Sequence, residues 1–219
     1  MRTSHPAVLA AGLAGLLIVS AAPATADRLP IVAPGDRITI AGQDGRSVCT
    51  LGWTYTANNG RVYGLTGGHC ATGETVRVTN SGAHGRFILH DHDPDKPGSA
   101  DYALIDFGQA AINYNYLGND RAVMSQQNAV DSGEAICRTG VSTGTHCGTV
   151  YGRYGDQQYL VDEMTSSAPG DSGGPVWRDA GPGEVEVLGL WLGRHTTEYG
   201  REYGRFVTIR QAFEQLGVL

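Results

Sequence analysis

The stretch that decides the fold is Pro169-Gly170-Asp171-Ser172-Gly173-Gly174-Pro175. It predicts a serine on a tight turn, where glycines permit unusual backbone angles and the close approach of a second molecule. A nucleophilic hydroxyl needs this setting, with backbone N–H groups aimed at the place where negative charge develops on a carbonyl oxygen. Gly170 and Ser172 are the candidates to supply those N–H groups. The competing interpretation is a glycine-rich surface turn, but seven matched residues are far more specific than a bare G-x-S-x-G.

A histidine suited to activate this serine lies in Leu65-Thr66-Gly67-Gly68-His69-Cys70. A serine hydroxyl is a weak nucleophile and needs a general base, and imidazole titrates near neutral pH. Cys70 follows His69 directly, so a disulfide there would fix the backbone beneath the ring. The remaining histidines beyond the N-terminal segment are interpreted as surface or satisfied core residues: His84, His90, His92, His146 and His195.

A carboxylate suited to orient the histidine stands at the head of an apolar strand, in Ser99-Ala100-Asp101-Tyr102-Ala103-Leu104-Ile105. A buried carboxylate that accepts a hydrogen bond from imidazole fixes its tautomer and stabilises the imidazolium. Asp101 is the candidate for this role, and Asp106, which follows the apolar run, is an alternative. Three other carboxylates lie in a polar, turn-rich stretch and are interpreted as solvated: Asp91, Asp93 and Asp95.

The composition predicts an all-β protein. The chain has 219 residues, 41% of them hydrophobic, enough for one or two compact domains. Its 32 glycines separate short β-branched and aromatic runs, a pattern typical of a barrel or sandwich. The C-terminal end alone has helical spacing, at Ile209, Ala212, Phe213 and Leu216. A net charge of -6 without a basic stripe argues against a nucleic-acid partner.

The first 26 residues have the pattern of an export signal. Arg2 and His5 precede an apolar run over residues 7–22, and Pro23-Ala24-Thr25-Ala26 provides a small-residue cleavage site. We predict cleavage after Ala26; a retained anchor is the alternative, although the run is short for a membrane span. An even number of cysteines in an exported chain predicts two disulfides, and zinc is disfavoured because no C-x-x-C pair occurs. Three pairings are open, of which the sequential one is the simplest, among Cys49, Cys70, Cys137 and Cys147.

The order His, Asp, Ser within T-G-G-H-C, A-D-Y-A-L-I and P-G-D-S-G-G-P resembles the chymotrypsin family of serine peptidases. Residues 137–140 and 147–150 are similar to the second disulfide loop of its bacterial streptogrisin and alpha-lytic branch. The likeness runs from about Cys49 to the C-terminal helix. It implies two packed six-stranded antiparallel barrels with the site between them, supports Asp101 over Asp106, and implies the disulfides Cys49–Cys70 and Cys137–Cys147.

The expected organisation combines the signal pattern, a short leader that contains Pro30, Pro34 and Gly35, and the two barrels that the resemblance implies. A signal peptide over 1–26 and a short leader over 27–47 precede an N-terminal barrel over 48–118. A C-terminal barrel with the final helix follows over 119–219. In the same branch an internal arginine pairs with the aspartate before the nucleophile, which implies that Arg138 pairs with Asp171 and shapes the oxyanion loop. The alternative for Arg138 is an exposed charge at a strand end.

A primary specificity pocket is expected from segments before and after the nucleophile. Its candidate residues are Ser166, Ala168, Leu192, Gly193, Arg194 and Gly204. No carboxylate stands where a trypsin-like pocket holds one, so we expect a medium apolar residue at the cleavage point rather than Lys or Arg. Arg194 either favours an acidic side chain or points from the rim to solvent. Leu192 departs from relatives, which carry at this place a serine that supports the catalytic aspartate.

These features predict a secreted, monomeric serine endopeptidase that acts on peptide or protein substrates without metal or cofactor. No nucleic-acid partner and, after signal removal, no membrane partner is expected. Two alternatives stay open. One is a catalytically silent binding protein on the same fold, which only Leu192 favours, and the other is an esterase that uses the same triad.

Overall fold

The computed structural model describes Met1, residues 28–42 and residues 45–218. Strands dominate these residues, with one short helix near the C-terminus. The predicted signal peptide at 1–26 lies outside the described residues apart from Met1. In the part of the chain that the structure describes, no helix has the length and apolar character needed to cross a membrane.

The N-terminal half forms one curved sheet of seven strands. The described residues of this half form nine strands: β1 (Ile31–Val32), β2 (Arg37–Gly42), β3 (Gly45–Thr50), β4 (Trp53–Thr56), β5 (Val62–Thr66), β6 (Thr75–Val78), β7 (His84–His92), β8 (Asp101–Gly108) and β9 (Ile112–Asn113). The sheet order is β3-β2-β6-β7-β8-β5-β4, while β1 and β9 pair separately in parallel. Alternate residues of β2 and β6 point inward, because strand side chains alternate between faces.

The C-terminal half closes into a six-stranded barrel. The described residues of this half form eight strands, of which the last six close the barrel: β10 (Tyr116–Leu117), β11 (Asp120–Met124), β12 (Ala135–Gly140), β13 (Gly144–Tyr154), β14 (Gln158–Asp162), β15 (Pro175–Gly181), β16 (Glu184–Thr196) and β17 (Glu202–Thr208). Pairing runs β16-β15-β12-β13-β14-β17 and returns from β17 to β16. Helix α1 (Ile209–Gln215) buries Ile209, Ala212 and Phe213 against the apolar cluster that also contains Leu190 and Val207.

The trypsin-like double-barrel class predicted from the sequence is confirmed, with one difference in the first barrel. That sheet has seven strands and is a half-barrel, because its two edge strands, β3 and β4, are not paired with each other. These two strands are consecutive in the chain and are separated only by Leu51 and Gly52. The chain therefore bends at this point instead of continuing as one strand. The amide of Gly52 donates to the carbonyl of Leu65 at 2.8 Å, which holds the bend against β5.

The leader expected over 27–47 needs a correction. Residues 31–42 supply β1 and β2, and β2 lies inside the first sheet between β3 and β6. Ile38 and Ile40 are fully buried in the same apolar cluster as Val76 and Val78. A barrel boundary at residue 48 is therefore too late, because this segment is part of the N-terminal core.

Candidate active site

The turn that carries His69 is fixed from two sides. It is a single 3-10 turn, Gly68–Cys70, directly after β5, and Cys70 forms a disulfide with Cys49 of β3. Gly68 packs against the neighbouring backbone so closely that a Cβ would overlap the carbonyl oxygen of Asp91 and lie 2.8 Å from the amide nitrogen of Tyr102. Only glycine allows this approach. The turn thus holds the imidazole beside the first residue of β8.

Asp101 is that first residue, and its carboxylate faces His69. Nδ1 of His69 lies 2.9 Å from both Oδ1 and Oδ2, and the backbone N–H of His69 donates to Oδ1 at 2.9 Å. Burial alone would raise the pKa of Asp101, but its hydrogen bond and charge interaction with His69 hold that pKa below its usual range. An ionised carboxylate can only accept, so Nδ1 carries the proton and Nε2 is left as the basic nitrogen.

A second histidine lies beside the same carboxylate. His92 is the register partner of Asp101 across β7 and β8, and its Nδ1 lies 3.5 Å from Asp101 Oδ2. The rings of His69 and His92 have centroids 5.7 Å apart. His92 also contributes to lowering the pKa of Asp101. The sequence interpretation as an ordinary surface histidine missed this position, because it depends on a register shift between Phe87 and Leu89.

The loop that carries Ser172 is bonded to the first sheet. Its carbonyl accepts a hydrogen bond from the amide of Thr50 at 2.8 Å, and the disulfide sulfur of Cys70 lies 3.9 Å from the same oxygen. Gly173 has φ of +80°, and a Cβ there would overlap Oγ1 of Thr66. The serine loop therefore lies against the residues next to His69, and a side chain at 173 would push the two apart.

Thr50 connects the first sheet to the serine loop by hydrogen bonds, and sequence reasoning missed it. It is fully buried, its hydroxyl donates to the carbonyl of Gly170 at 2.7 Å and accepts from the amide of Val141 at 3.1 Å. The hydroxyl of Thr66 in turn donates to the carbonyl of Thr50 at 2.8 Å. No motif marks a buried threonine of this kind, so only the tertiary structure reveals it.

The amides of the serine loop fall into two groups. Asp171, Gly173 and Gly174 donate to the carbonyls of Ala168, Trp191 and Asp171, at 3.1, 2.6 and 3.1 Å. By contrast, the N–H groups of Gly170 and Ser172 donate to no acceptor among the residues that the structure describes. Gly170 has φ of +105°, a backbone angle that glycine tolerates. These two N–H groups are the ones that the sequence selected as oxyanion donors.

Asp171 holds the serine loop against residues 142 and 143. Its carboxylate accepts from the amides of Ser142, Thr143 and Ala168 at 2.9, 3.0 and 3.0 Å and from the Thr143 hydroxyl at 2.7 Å. Arg138 is fully buried with it, and Nη1 lies 3.4 Å from Asp171 Oδ2. Burial would raise the pKa of Asp171, but the hydrogen bonds from Ala168, Thr143 and Ser142 hold that pKa below its usual range. Burial also lowers the pKa of Arg138, which the charge of Asp171 opposes.

Comparisons with known proteins decide the family. Serine protease 2 of Streptomyces fradiae is 32% identical over 158 residues, which cover 67% of this chain and 87% of that protein. The chain belongs to the chymotrypsin family of serine proteases, in its bacterial branch. Streptogrisin-A of Streptomyces griseus is 27% identical over 199 residues, covering 81% of this chain and 61% of its own length. An uncharacterized protein of Mycobacterium tuberculosis is 34% identical over 197 residues, covering 85% and 84%.

Solved structures agree with this bacterial chymotrypsin fold. A glutamic-acid-specific serine protease that utilizes a histidine triad in substrate binding superposes with a TM-score of 0.63 at 23% identity, covering 85% of this chain and 98% of that one. Nocardiopsis protease also gives a TM-score of 0.63, at 20% identity over 85% and 97%. These likenesses establish the fold alone. No protein-family model matches the chain.

The expected pocket residues of this chymotrypsin-family chain lie on the segment before the serine loop and on strands β16 and β17. The carbonyl of Ser166 accepts a hydrogen bond from Arg138 Nη2, and the amide of Ala168 donates to Asp171. Gly204 packs against the ring of Trp191, while Gly193 has φ of +107° and open space beside it. Leu192 is buried in the apolar cluster that contains Ala100 and Tyr102, the sequence neighbours of Asp101.

Arg194 lies outside this group, at the rim. Its side chain is half exposed and pairs with Glu202 Oε1 at 3.3 Å. Arg194 also lines an open cleft of about 420 Å³ that runs past His69 and Asp101. Two other cations, Lys96 and Arg205, and one further carboxylate, Asp93, line the same cleft. Charged side chains of both signs therefore line the cleft on this side of His69.

Proposed function

We propose that the chain is a secreted serine endopeptidase in which Ser172 is the nucleophile, His69 the general base and Asp101 the group that orients His69. The observation that carries the proposal is the contact of His69 Nδ1 with both oxygens of the buried Asp101 carboxylate. It leaves Nε2 basic and directed away from Asp101. The serine loop lies next to the turn that holds this ring.

The first half of the reaction forms an acyl-enzyme. Ser172 Oγ attacks the peptide carbonyl carbon while His69 Nε2 takes the hydroxyl proton. The carbonyl oxygen becomes negative, and the N–H groups of Gly170 and Ser172, which have no acceptor among the described residues, are suited to receive it. His69 then gives the proton to the leaving nitrogen and the C–N bond breaks. Asp101 stabilises the imidazolium between these two transfers.

The second half returns the enzyme to its starting state. A water molecule takes the place of the leaving amine, gives a proton to His69 and attacks the ester carbon. The bond from Ser172 Oγ to that carbon breaks, and the proton on His69 returns to the serine. The products are a carboxylic acid and an amine, so no metal, cofactor or redox partner is needed to balance the reaction.

Arg138 and Asp171 support the reaction by shaping the serine loop. Asp171 lies between Gly170 and Ser172, and its carboxylate is held by four donors in addition to Arg138. A fixed Asp171 keeps the amides on either side of it at a constant orientation. Preorganised donors of this kind stabilise developing charge without a reorganisation cost.

Export is part of the proposal. The segment over residues 1–26 has the pattern of a signal peptide, and the chain has the disulfides Cys49–Cys70 and Cys137–Cys147. Disulfides form and persist outside the reducing cytosol. We therefore expect the protein to act on peptides or proteins outside the cell that produces it.

Covalent labelling of the folded, disulfide-bonded protein with a fluorophosphonate tests the proposal. We expect stoichiometric modification of Ser172 in the wild type and none in Ser172→Ala, because the probe reacts only with an activated serine. Ser132→Ala serves as the matched control, since Ser132 lies on another turn and its hydroxyl donates to the carbonyl of Tyr151. Absence of labelling in the wild type would favour the silent binding protein.

Cleavage of a peptide library then separates the peptidase from the esterase. We expect internal peptide bonds to be hydrolysed by the wild type and not by Ser172→Ala. A protein that accepts the fluorophosphonate and hydrolyses simple esters but leaves every peptide intact would contradict the endopeptidase and establish the esterase.

A further inference from the structure

We propose that Trp191 fills the space that would receive the substrate side chain next to the scissile carbonyl, so that this enzyme cleaves after glycine or alanine. The inference rests on the proposed function, since it takes Ser172 as the group that attacks that carbonyl. It replaces the medium apolar residue expected from the sequence with a smaller one.

The position of this space follows from the nucleophile. The substrate carbon under attack must contact Ser172 Oγ, and its oxygen must point to the amides of Gly170 and Ser172. The side chain one carbon away then enters the expected specificity pocket, whose candidate residues lie on the chain segments that flank the serine loop. One is the segment 165–169 that leads into Gly170, and the other is the part of β16 beside Gly173.

Trp191 is the residue of β16 at that place. Its carbonyl accepts from the amide of Gly173 at 2.6 Å, and its own amide donates to the carbonyl of Gly174 at 2.8 Å. The backbone of Trp191 thus runs directly beside the two residues that follow the nucleophile. Its side chain begins next to the reacting centre and leads into the space just described.

The indole ring contacts both sides of this space. Nε1 donates to Oγ of Ser167 at 3.1 Å on one side. On the other side the ring packs against Gly204 of β17, where a Cβ would overlap Cη2 of the indole. Trp191 is fully buried. A tryptophan side chain is among the largest apolar groups, so what it leaves free between Ser167 and Gly204 is small.

The ring is also held from behind. The guanidinium carbon of Arg138 lies 4.9 Å from the ring centroid, and Arg138 is fixed by Asp171 and by the carbonyl of Ser166. Met164 and Phe206 are buried in the same apolar cluster as Trp191. An indole bonded at Nε1 and packed on a buried cation cannot retreat deeper to admit a large side chain without disturbing these contacts.

A set of peptides that differ only in the residue before the cleaved bond tests the inference in the wild type. We expect kcat/KM for glycine and alanine to exceed that for leucine and phenylalanine by about 10-fold or more, because one or a few methylenes in a tight pocket change the rate by that factor. In Trp191→Ala the removed indole opens the space. The ratio of kcat/KM for phenylalanine to that for alanine then rises by about 10-fold or more.

Loss of a fully buried ring destabilises the fold, so two milder variants separate this loss of stability from the change in side-chain preference. Trp191→Phe keeps an aromatic ring but removes the Nε1 bond to Ser167 and part of the indole, and we expect it to admit leucine better than the wild type does. Trp53→Phe is the matched control, because Trp53 is 5% exposed and lies in a different apolar cluster. We expect the side-chain preference of that control to equal that of the wild type.

The outcomes separate this inference from the proposed function. If the wild type accepts a small fluorophosphonate and cleaves after phenylalanine or leucine as fast as after alanine, the inference is overturned and the peptidase assignment stands. The inference is also overturned if both Trp191 variants accept the probe yet keep the wild-type preference. If the wild type accepts no probe at all, the proposed function itself fails.

Discussion

Asp101 and Asp171 are two buried carboxylates next to the residues of the proposed reaction centre, and they are held by different kinds of partner. Asp101 is 1% exposed and faces His69, whose side chain is 28% exposed and changes its charge during the proposed reaction. Asp171 is fully buried and faces three backbone amides, one hydroxyl and a permanent cation. Burial is nearly the same, so burial does not distinguish their roles.

The partners do distinguish them. A carboxylate beside a group that gains and loses a proton can stabilise a charge that exists only in the middle of a reaction. A carboxylate surrounded by donors that never titrate has the same interactions in every state, so it fixes geometry instead. We therefore expect substitutions at Asp101 to act mainly on rate and substitutions around Asp171 to act first on stability.

The largest expected effect is on the rate in Asp101→Asn. An asparagine amide favours the wrong tautomer of His69 and cannot stabilise the imidazolium, so kcat should fall by about 10⁴-fold. Asp106→Asn is the matched control, because Asp106 pairs with Arg61 at 2.6 Å and makes no contact with His69. Steady-state peptide hydrolysis measures both variants. A larger loss in Asp106→Asn than in Asp101→Asn would contradict the assignment of Asp101.

The next effect is on stability in Arg138→Ala. Removing the guanidinium leaves the fully buried Asp171 without its cation, which costs about 3–5 kcal/mol of unfolding free energy. We also expect slower turnover, because the loop with Gly170 and Ser172 loosens. Denaturant unfolding and peptide hydrolysis measure the two consequences. Arg86→Ala, which breaks an exposed pair with Glu74, is the control and should cost only about 0–1 kcal/mol. Full turnover in Arg138→Ala would refute this role.

The smallest expected effect is on the way in which the unfolding free energy falls at acid pH. The folded-state pKa values of Asp101 and Asp171 are both below the ordinary value, so the native state binds fewer protons than the unfolded chain. Their contribution is complete above pH about 4 and is lost as the pH falls through the folded pKa values. Unfolding free energies measured across this range should fall less steeply in Asp101→Asn and in Asp171→Asn. Slopes equal to that of the wild type in both variants would show that neither carboxylate is linked to folding.

Local sequence predicts the parts of the site that sit on short motifs. The serine turn and the strand that begins at Asp101 both depend on neighbours in the chain. The segment before residue 48 reads as a leader because Pro30, Pro34 and Gly35 suggest irregular structure. The alternation of Ile38 and Ile40 in β2 is the signal for a buried strand, and its neighbours β3 and β6 lie on either side of it only in the folded sheet.

The parts that the sequence leaves out depend on contacts between distant segments. His92 faces Asp101 only because of the register between β7 and β8, and Thr50 touches the serine loop only after the two halves meet. Trp191 stands in an apolar strand, where a tryptophan is an ordinary core residue. Its place between Ser167 and Gly204 becomes visible once β16 and β17 are paired.

The bonds made by Thr50 have a consequence for the newly made chain. Through this one residue, a strand of the N-terminal half holds the carbonyls of Gly170 and Ser172, which belong to the C-terminal half. His69 belongs to one half and Ser172 to the other, so neither half alone can bring the imidazole next to the hydroxyl. Hydrolytic activity would then arise only after both halves have folded and docked. A partly folded chain would therefore not cleave proteins of the cell that produces it.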